Sequence, residues 1–157
     1  MPKRTKPAPS NPIETYEHRD KQRVNNPPAG LAPPDTAPDI GPAKTYAYAL
    51  SAYTGGGHSC SYCYARFMRR FSGHKEPWGE FVDVKINAPD LLAAEIGRKT
   101  RGAVWVSGVC DPYQPVEAKY RLTRDCLALL IGHGWPVRVQ TRSALVLRDL
   151  DLFRGAK

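Results

Sequence analysis

Cys60 and Cys63 stand two residues apart at the end of the glycine-rich run Tyr53-Thr54-Gly55-Gly56-Gly57-His58-Ser59. A thiol pair so spaced can hold zinc, help ligate an iron-sulfur cluster or cycle as a redox disulfide, and the spacing does not choose among these. A second dense stretch is Cys110-Asp111-Pro112-Tyr113-Gln114-Pro115-Val116-Glu117. Two prolines stiffen it, and it offers a thiol, two carboxylates, an amide and a phenol. So many polar groups are costly to hold in a fold without a partner. The structural alternative is that Asp111 caps a turn while Glu117 pairs with Lys119 or Arg121. A third candidate is Arg142, whose guanidinium can grip a carboxylate with two parallel hydrogen bonds. Arg66, Arg69 and Arg70 recur at helical spacing. They form either a solvated face or, with Lys75, Cys60 and Cys63, a zinc or nucleic-acid-binding module. Cys126 lies among leucines and reads as a core residue.

These residues need elements to hold them. Tyr46, Tyr48, Leu50 and Ala52 alternate as in a strand that runs into the glycine loop. Tyr64 to Phe71 reads as a short helix, and Phe81 to Ile86 as an extended segment. Pro89 and Asp90 open a helix that Gly97 ends. Ala103-Val104-Trp105-Val106 is a short apolar run suited to a strand covered on both faces. Thr123 is the expected cap of a helix through Leu127, Leu130 and Ile131 that stops at Gly132 or Gly134. Val137 to Thr141 then reads as a strand and Leu145 to Phe153 as a helix. This rhythm predicts right-handed β/α units on a parallel sheet, an α/β fold. Ligands of such folds gather beyond the carboxyl ends of the strands, where loops 54–63, 107–117 and 141–143 all lie.

The chain has 157 residues and a net charge of +8, with 23 Lys and Arg against 15 Asp and Glu. Ten of its 15 prolines fall within residues 1–42, so residues 1–44 are expected to form a mostly disordered or extended basic arm. Residues 45–157 are left as the folded domain. No apolar run approaches the roughly 20 residues that cross a bilayer, and the first residues lack the apolar stretch of a signal peptide. The expectation is a cytoplasmic protein without membrane contact. Four cysteines are too few for a disulfide scaffold, which turns attention back to metal or redox use of the close pair.

The stretch from Tyr53 to Arg66 resembles the cluster loop of radical S-adenosylmethionine enzymes, particularly the spore photoproduct lyase-like branch. The resemblance continues through Val84-Lys85-Ile86-Asn87-Ala88-Pro89, Ser107 to Glu117, and Thr141 to Leu150. It implies a partial (β/α) barrel of about three β/α units, the N-terminal half of that family's core domain. It also implies a 4Fe-4S cluster, S-adenosylmethionine as cofactor, and reductive cleavage to a 5'-deoxyadenosyl radical that abstracts hydrogen from substrate. An electron donor such as a flavodoxin or ferredoxin and a nucleic-acid substrate follow from the same resemblance. In the family, cysteines spaced Cys-x-x-x-Cys-x-x-Cys ligate the cluster. Cys60 and Cys63 match the second and third ligands, while the first falls on Gly56, which has no side chain to offer. The expected result is loss or severe weakening of cluster binding and an impaired or inactive chain, unless His58 or Cys110 moves in as substitute. Tyr62 corresponds to an aromatic beside the cofactor's adenine, or to plain packing. Cys110 and Asp111 fall beside its methionyl part, and Arg142 at a position that often carries Lys and can hold its carboxylate. Half a barrel would leave a sheet edge open to self-association.

Overall fold

In a computed structural model of the chain, the described residues are 21–25 and 46–156. They form an α/β fold with six strands in two sheets and five α-helices. The first sheet takes β1 (Lys21–Asn25), β4 (Phe81–Lys85) and β3 (Tyr53–Gly55) in the spatial order β1-β4-β3. β1 runs parallel to β4, and β3 runs antiparallel to it. The second sheet is wholly parallel, in the order β2 (Tyr48–Leu50), β5 (Val104–Val106), β6 (Val137–Val139). β2 and β6 are therefore its edges.

The parallel sheet follows the apolar alternation of its strands. Leu50, Val106 and Val139 stand in one register row, and Tyr48, Val104 and Val137 in another. Both rows belong to the core formed with Leu92 and Ile96 of α2 (Ala88–Ile96) and with Leu127 and Leu130 of α4 (Leu122–Gly132). Cys126 is buried in that core, as its leucine neighbours suggest. Val82 and Val84 of β4 and Tyr53 of β3 pack into the same cluster, so the two sheets share one interior.

Several boundaries differ from the sequence expectation. The run Tyr46 to Ala52 is not one strand. The chain bends at Ala52, with the Ser51 hydroxyl donating to the Tyr53 carbonyl at 2.7 Å, and passes from the parallel sheet to the other. The helix expected from Tyr64 is a 3-10 segment (Tyr64–Met68) that widens into the single turn α1 (Arg69–Ser72), which Gly73 ends at φ 71°. Another 3-10 segment (Ala144–Asp149) precedes α5 (Leu150–Gly155). A short α3 (Glu117–Tyr120) precedes α4, and Arg121 at φ 55° separates the two. Lys21–Asn25, inside the expected arm, is a strand; the rest of that arm lies outside the described residues. Among the described residues the two sheets stay open and no closed barrel is formed. No helix there is long and apolar enough to cross a membrane.

Candidate functional site

The glycine loop leaves β3 through Gly55, whose φ of +99° and contact with Phe81 exclude a side chain. A Cβ there would lie 2.4 Å from the Phe81 carbonyl oxygen. Gly56 then donates its amide to that same carbonyl at 3.2 Å, and Gly57 donates to the Gln114 side chain at 2.9 Å. Gln114 is fully buried, so the cysteine loop is bolted to the second loop from inside. Ser59 adopts φ 48°, a costly conformation for a residue with a side chain, and its hydroxyl donates to Gly79 at 2.7 Å. Cys63 closes a turn by donating its amide to the Cys60 carbonyl at 3.2 Å. Arg66 donates to that carbonyl as well, at 3.1 Å. The turn therefore aims both thiols from one short, fixed piece of backbone.

Asp111 ties the second and third loops together. One of its carboxylate oxygens accepts from the Tyr113 amide at 2.8 Å and from the Thr141 hydroxyl at 2.6 Å. The other accepts from the Arg142 amide at 3.0 Å and lies 3.6 Å from His58 Nε2. Both oxygens are thus occupied by backbone and side-chain donors. The Arg142 guanidinium lies over the Tyr62 ring, 4.8 Å from its centroid, and donates to the Tyr62 hydroxyl. Tyr62 is 72% exposed, so this pair spans the mouth from the first loop to the third rather than lining its depth. Tyr64 makes the matching link to the second loop, its hydroxyl donating to the Gly108 carbonyl at 2.6 Å. Cys110 is buried, and burial pushes its thiol up to about 11, which keeps it protonated at neutral pH.

Cys60, Cys63, Tyr62, Cys110, Asp111 and Arg142 all line one cavity of about 190 Å³. Gly55, Gly56 and His58 share its wall with Trp78, Gly79, Ser107 and Thr141. Three loops far apart in sequence therefore meet here, two of them following β5 and β6 of the parallel sheet and the first following β3 of the other. His58 Nε2 is buried in this wall and has no hydrogen-bond partner among the described residues. Such an atom is normally satisfied by a ligand or by water.

The comparisons tie the chain to uncharacterized proteins. It is 38% identical over 107 residues to the uncharacterized protein MJ0683 of Methanocaldococcus jannaschii, a match covering 68% of this chain and 39% of that protein. It is 32% identical over 119 residues to the uncharacterized protein Rv2578c of Mycobacterium tuberculosis, covering 73% and 35%. A third relative, the uncharacterized protein ORF301 of Acidianus two-tailed virus, is 29% identical over 126 residues, covering 75% and 41%. The chain is a distant homologue of these proteins and spans about two fifths of their length. No family model matches it, and no solved structure matches at a significant level.

The residues present do not fit a 4Fe-4S cluster. Two thiols converge, but Gly56 contributes none, and among the described residues no three His, Cys, Asp or Glu side chains are grouped to hold a metal ion. His58 and Cys110 line the cavity without completing such a group. The space for a side chain at Gly56 nevertheless exists. Its φ lies outside the left-handed region, and a Cβ there would meet only the Trp78 indole, at an ordinary 3.5 Å.

A buried network behind the cavity was not legible in the sequence. Glu117, fully buried, pairs with Arg148 at 2.8 Å and not with Lys119 or Arg121. Its carboxylate also accepts from the Thr123 amide at 3.0 Å, the Arg124 amide at 3.2 Å and the Tyr53 hydroxyl. Glu117, not Thr123, therefore caps α4; the Thr123 hydroxyl instead donates to the Pro112 carbonyl at 2.7 Å. Arg148 continues to Asp149 at 2.7 Å, and Arg124 reaches Asp149 at 2.8 Å. Burial opposes ionisation of Asp149, but hydrogen bonds from Arg148 and Arg124 outweigh it and set its carboxyl below the usual range. The adjacent charges Arg148-Asp149 inside an otherwise apolar segment were the available signal.

Proposed function

We propose that this chain is part of a radical S-adenosylmethionine protein of the spore photoproduct lyase-like branch, with the cofactor cavity kept and cluster binding lost or severely weakened at Gly56. The observation that carries this reading is the convergence of the three resembling loops on one cavity. His58 Nε2 in its wall, buried without a hydrogen bond though 3.6 Å from an Asp111 oxygen, supports a polar occupant. Arg142 is the residue suited to the carboxylate of S-adenosylmethionine, by turning its guanidinium away from Tyr62. The Tyr62 ring, freed by that turn, offers an apolar face to the adenine. Asp111 acts differently from the role the resemblance implies. With both oxygens already accepting, it fixes the Arg142 backbone and so positions the residue that would bind.

Anaerobic reconstitution with iron and sulfide tests the reading. The expected result is substoichiometric iron, little acid-labile sulfide and little reductive cleavage of S-adenosylmethionine. Gly56→Cys should raise iron and sulfide several-fold, because the position has room for the side chain. Full iron and normal cleavage by the unaltered chain would overturn the claimed defect. Zinc bound without iron or sulfide would favour a zinc or nucleic-acid-binding module built on Cys60, Cys63 and the exposed Arg66, Arg69 and Arg70 instead.

A further inference from the structure

Two cysteines that cannot complete a cluster still share a tight turn. The Cys63 amide donates to the Cys60 carbonyl at 3.2 Å, with Ser61 and Tyr62 at the turn's apex. A turn closed by such a bond brings its first and last Cα atoms within about 7 Å. Disulfides span Cα separations of about 4.4–6.8 Å, so the backbone already holds the pair near bonding distance. Both ends of the turn are fixed. Arg66 donates to the Cys60 carbonyl at 3.1 Å, and Ala65, fully buried, anchors the chain just after Cys63. Both thiols are free and half-buried on the cavity wall, whereas Cys110 and Cys126 are buried. A small disulfide therefore reaches the first pair more readily than the second.

We infer that Cys60 and Cys63 form a reversible dithiol–disulfide couple, a two-electron redox site that exchanges with small-molecule disulfides. The exchange balances in two steps. One thiol loses its proton to solvent, and its sulfur attacks glutathione disulfide, forming a mixed disulfide and releasing one glutathione as thiolate. The other cysteine then loses its proton and attacks the protein sulfur of that mixed disulfide. The intramolecular bond forms and the second glutathione leaves. Two thiols are oxidised while one glutathione disulfide is reduced, and excess reduced glutathione reverses both steps. The turn favours the second step because the resolving thiol is held beside its target. The couple needs no metal and stands independently of the family reading.

The test equilibrates the full chain in glutathione buffers of graded ratio, quenches with acid, alkylates under denaturing conditions and maps the peptides by mass spectrometry. The expected result is loss of two of the four alkylatable thiols, located at Cys60 and Cys63, in a monomer and reversed by reduced glutathione. Cys63→Ser should trap Cys60 as a stable mixed disulfide with glutathione, with circular dichroism unchanged. Four free thiols in excess glutathione disulfide would overturn the inference. So would an accumulated mixed disulfide on the unaltered chain, a bond to Cys110 or Cys126, or cross-linked chains. The readout contains no iron, so its failure is distinct from failure of the reconstitution.

Discussion

The cavity has two kinds of wall. Its second and third loops stand on a buried polar network, with Glu117 and Asp149 fully buried and joined through Arg148. The cysteine loop has no such foundation. Beyond its backbone bonds it is held by separate links, Gly57 to Gln114, Ser59 to Gly79, Arg66 to Cys60, Arg142 to Tyr62 and Tyr64 to Gly108. It continues into a segment where Tyr62, Tyr64, Phe67 and Phe71 are all exposed. The contrast teaches that this chain keeps the support for the cavity in its charged core and leaves the thiol-bearing wall free to change. A side chain at Gly56 would meet only the Trp78 indole there.

The largest effect should come from breaking the network. Glu117→Ala leaves Arg148 half-paired, α4 uncapped and the buried Tyr53 hydroxyl without its acceptor. Removing one partner of a buried ion pair costs about 3–5 kcal/mol. Urea unfolding should show a loss of that order, and a loss below about 1 kcal/mol would mean that the network is not the foundation described.

A smaller, local effect separates two neighbouring glycines. Gly55→Ala forces a Cβ to 2.4 Å from the Phe81 oxygen at a positive φ and should cost about 1–3 kcal/mol. Gly56→Ala, one residue on, meets only Trp78 at 3.5 Å and should change stability by less than about 1 kcal/mol. Equal losses at both positions in thermal unfolding would show the thiol wall to be as constrained as the rest.

Much of this arrangement is legible in the sequence because it depends on local periodicity. The apolar run at Val104 to Val106, the proline that opens α2 and the glycine that follows α4 each mark their element with nearby residues. The loops after β5 and β6 were expected at strand ends of one parallel sheet, but the cysteine loop leaves β3 of the other sheet. What escaped depends on distant partners. β1 carries a single apolar residue, Val24, and gains its pairing from β4, sixty positions on. The bend at Ala52 interrupts an alternation that gives no local warning. Glu117 has Lys119 and Arg121 as close charges, yet burial selects Arg148, which can reach both Glu117 and Asp149. Spacing in the chain cannot rank partners whose desolvation is decided by the folded core.

The smallest effect concerns the cysteines themselves and gives the comparison its sharpest form. Burial pushes the Cys110 thiol from an ordinary 9 to about 11. Below pH 9 this group is a neutral thiol in both folded and unfolded chains and contributes no pH dependence. Between pH 9 and 11 the unfolded chain loses the proton while the folded chain keeps it, so stability falls as pH rises through that window. Cys110→Ser should reduce the slope in this window, leaving the part contributed by the buried Cys126, pushed up to about 12, and leave the profile unchanged near neutrality. The same burial should make Cys110 the slower thiol in timed alkylation of the native chain at pH 8, behind Cys60 and Cys63. Its burial limits access for the reagent and, by raising the pKa, also cuts the thiolate that reacts. If Cys110 is instead alkylated as fast as that pair, the cavity opens to its floor, and the division between a fixed base and a changeable thiol wall fails at the residue where the two meet.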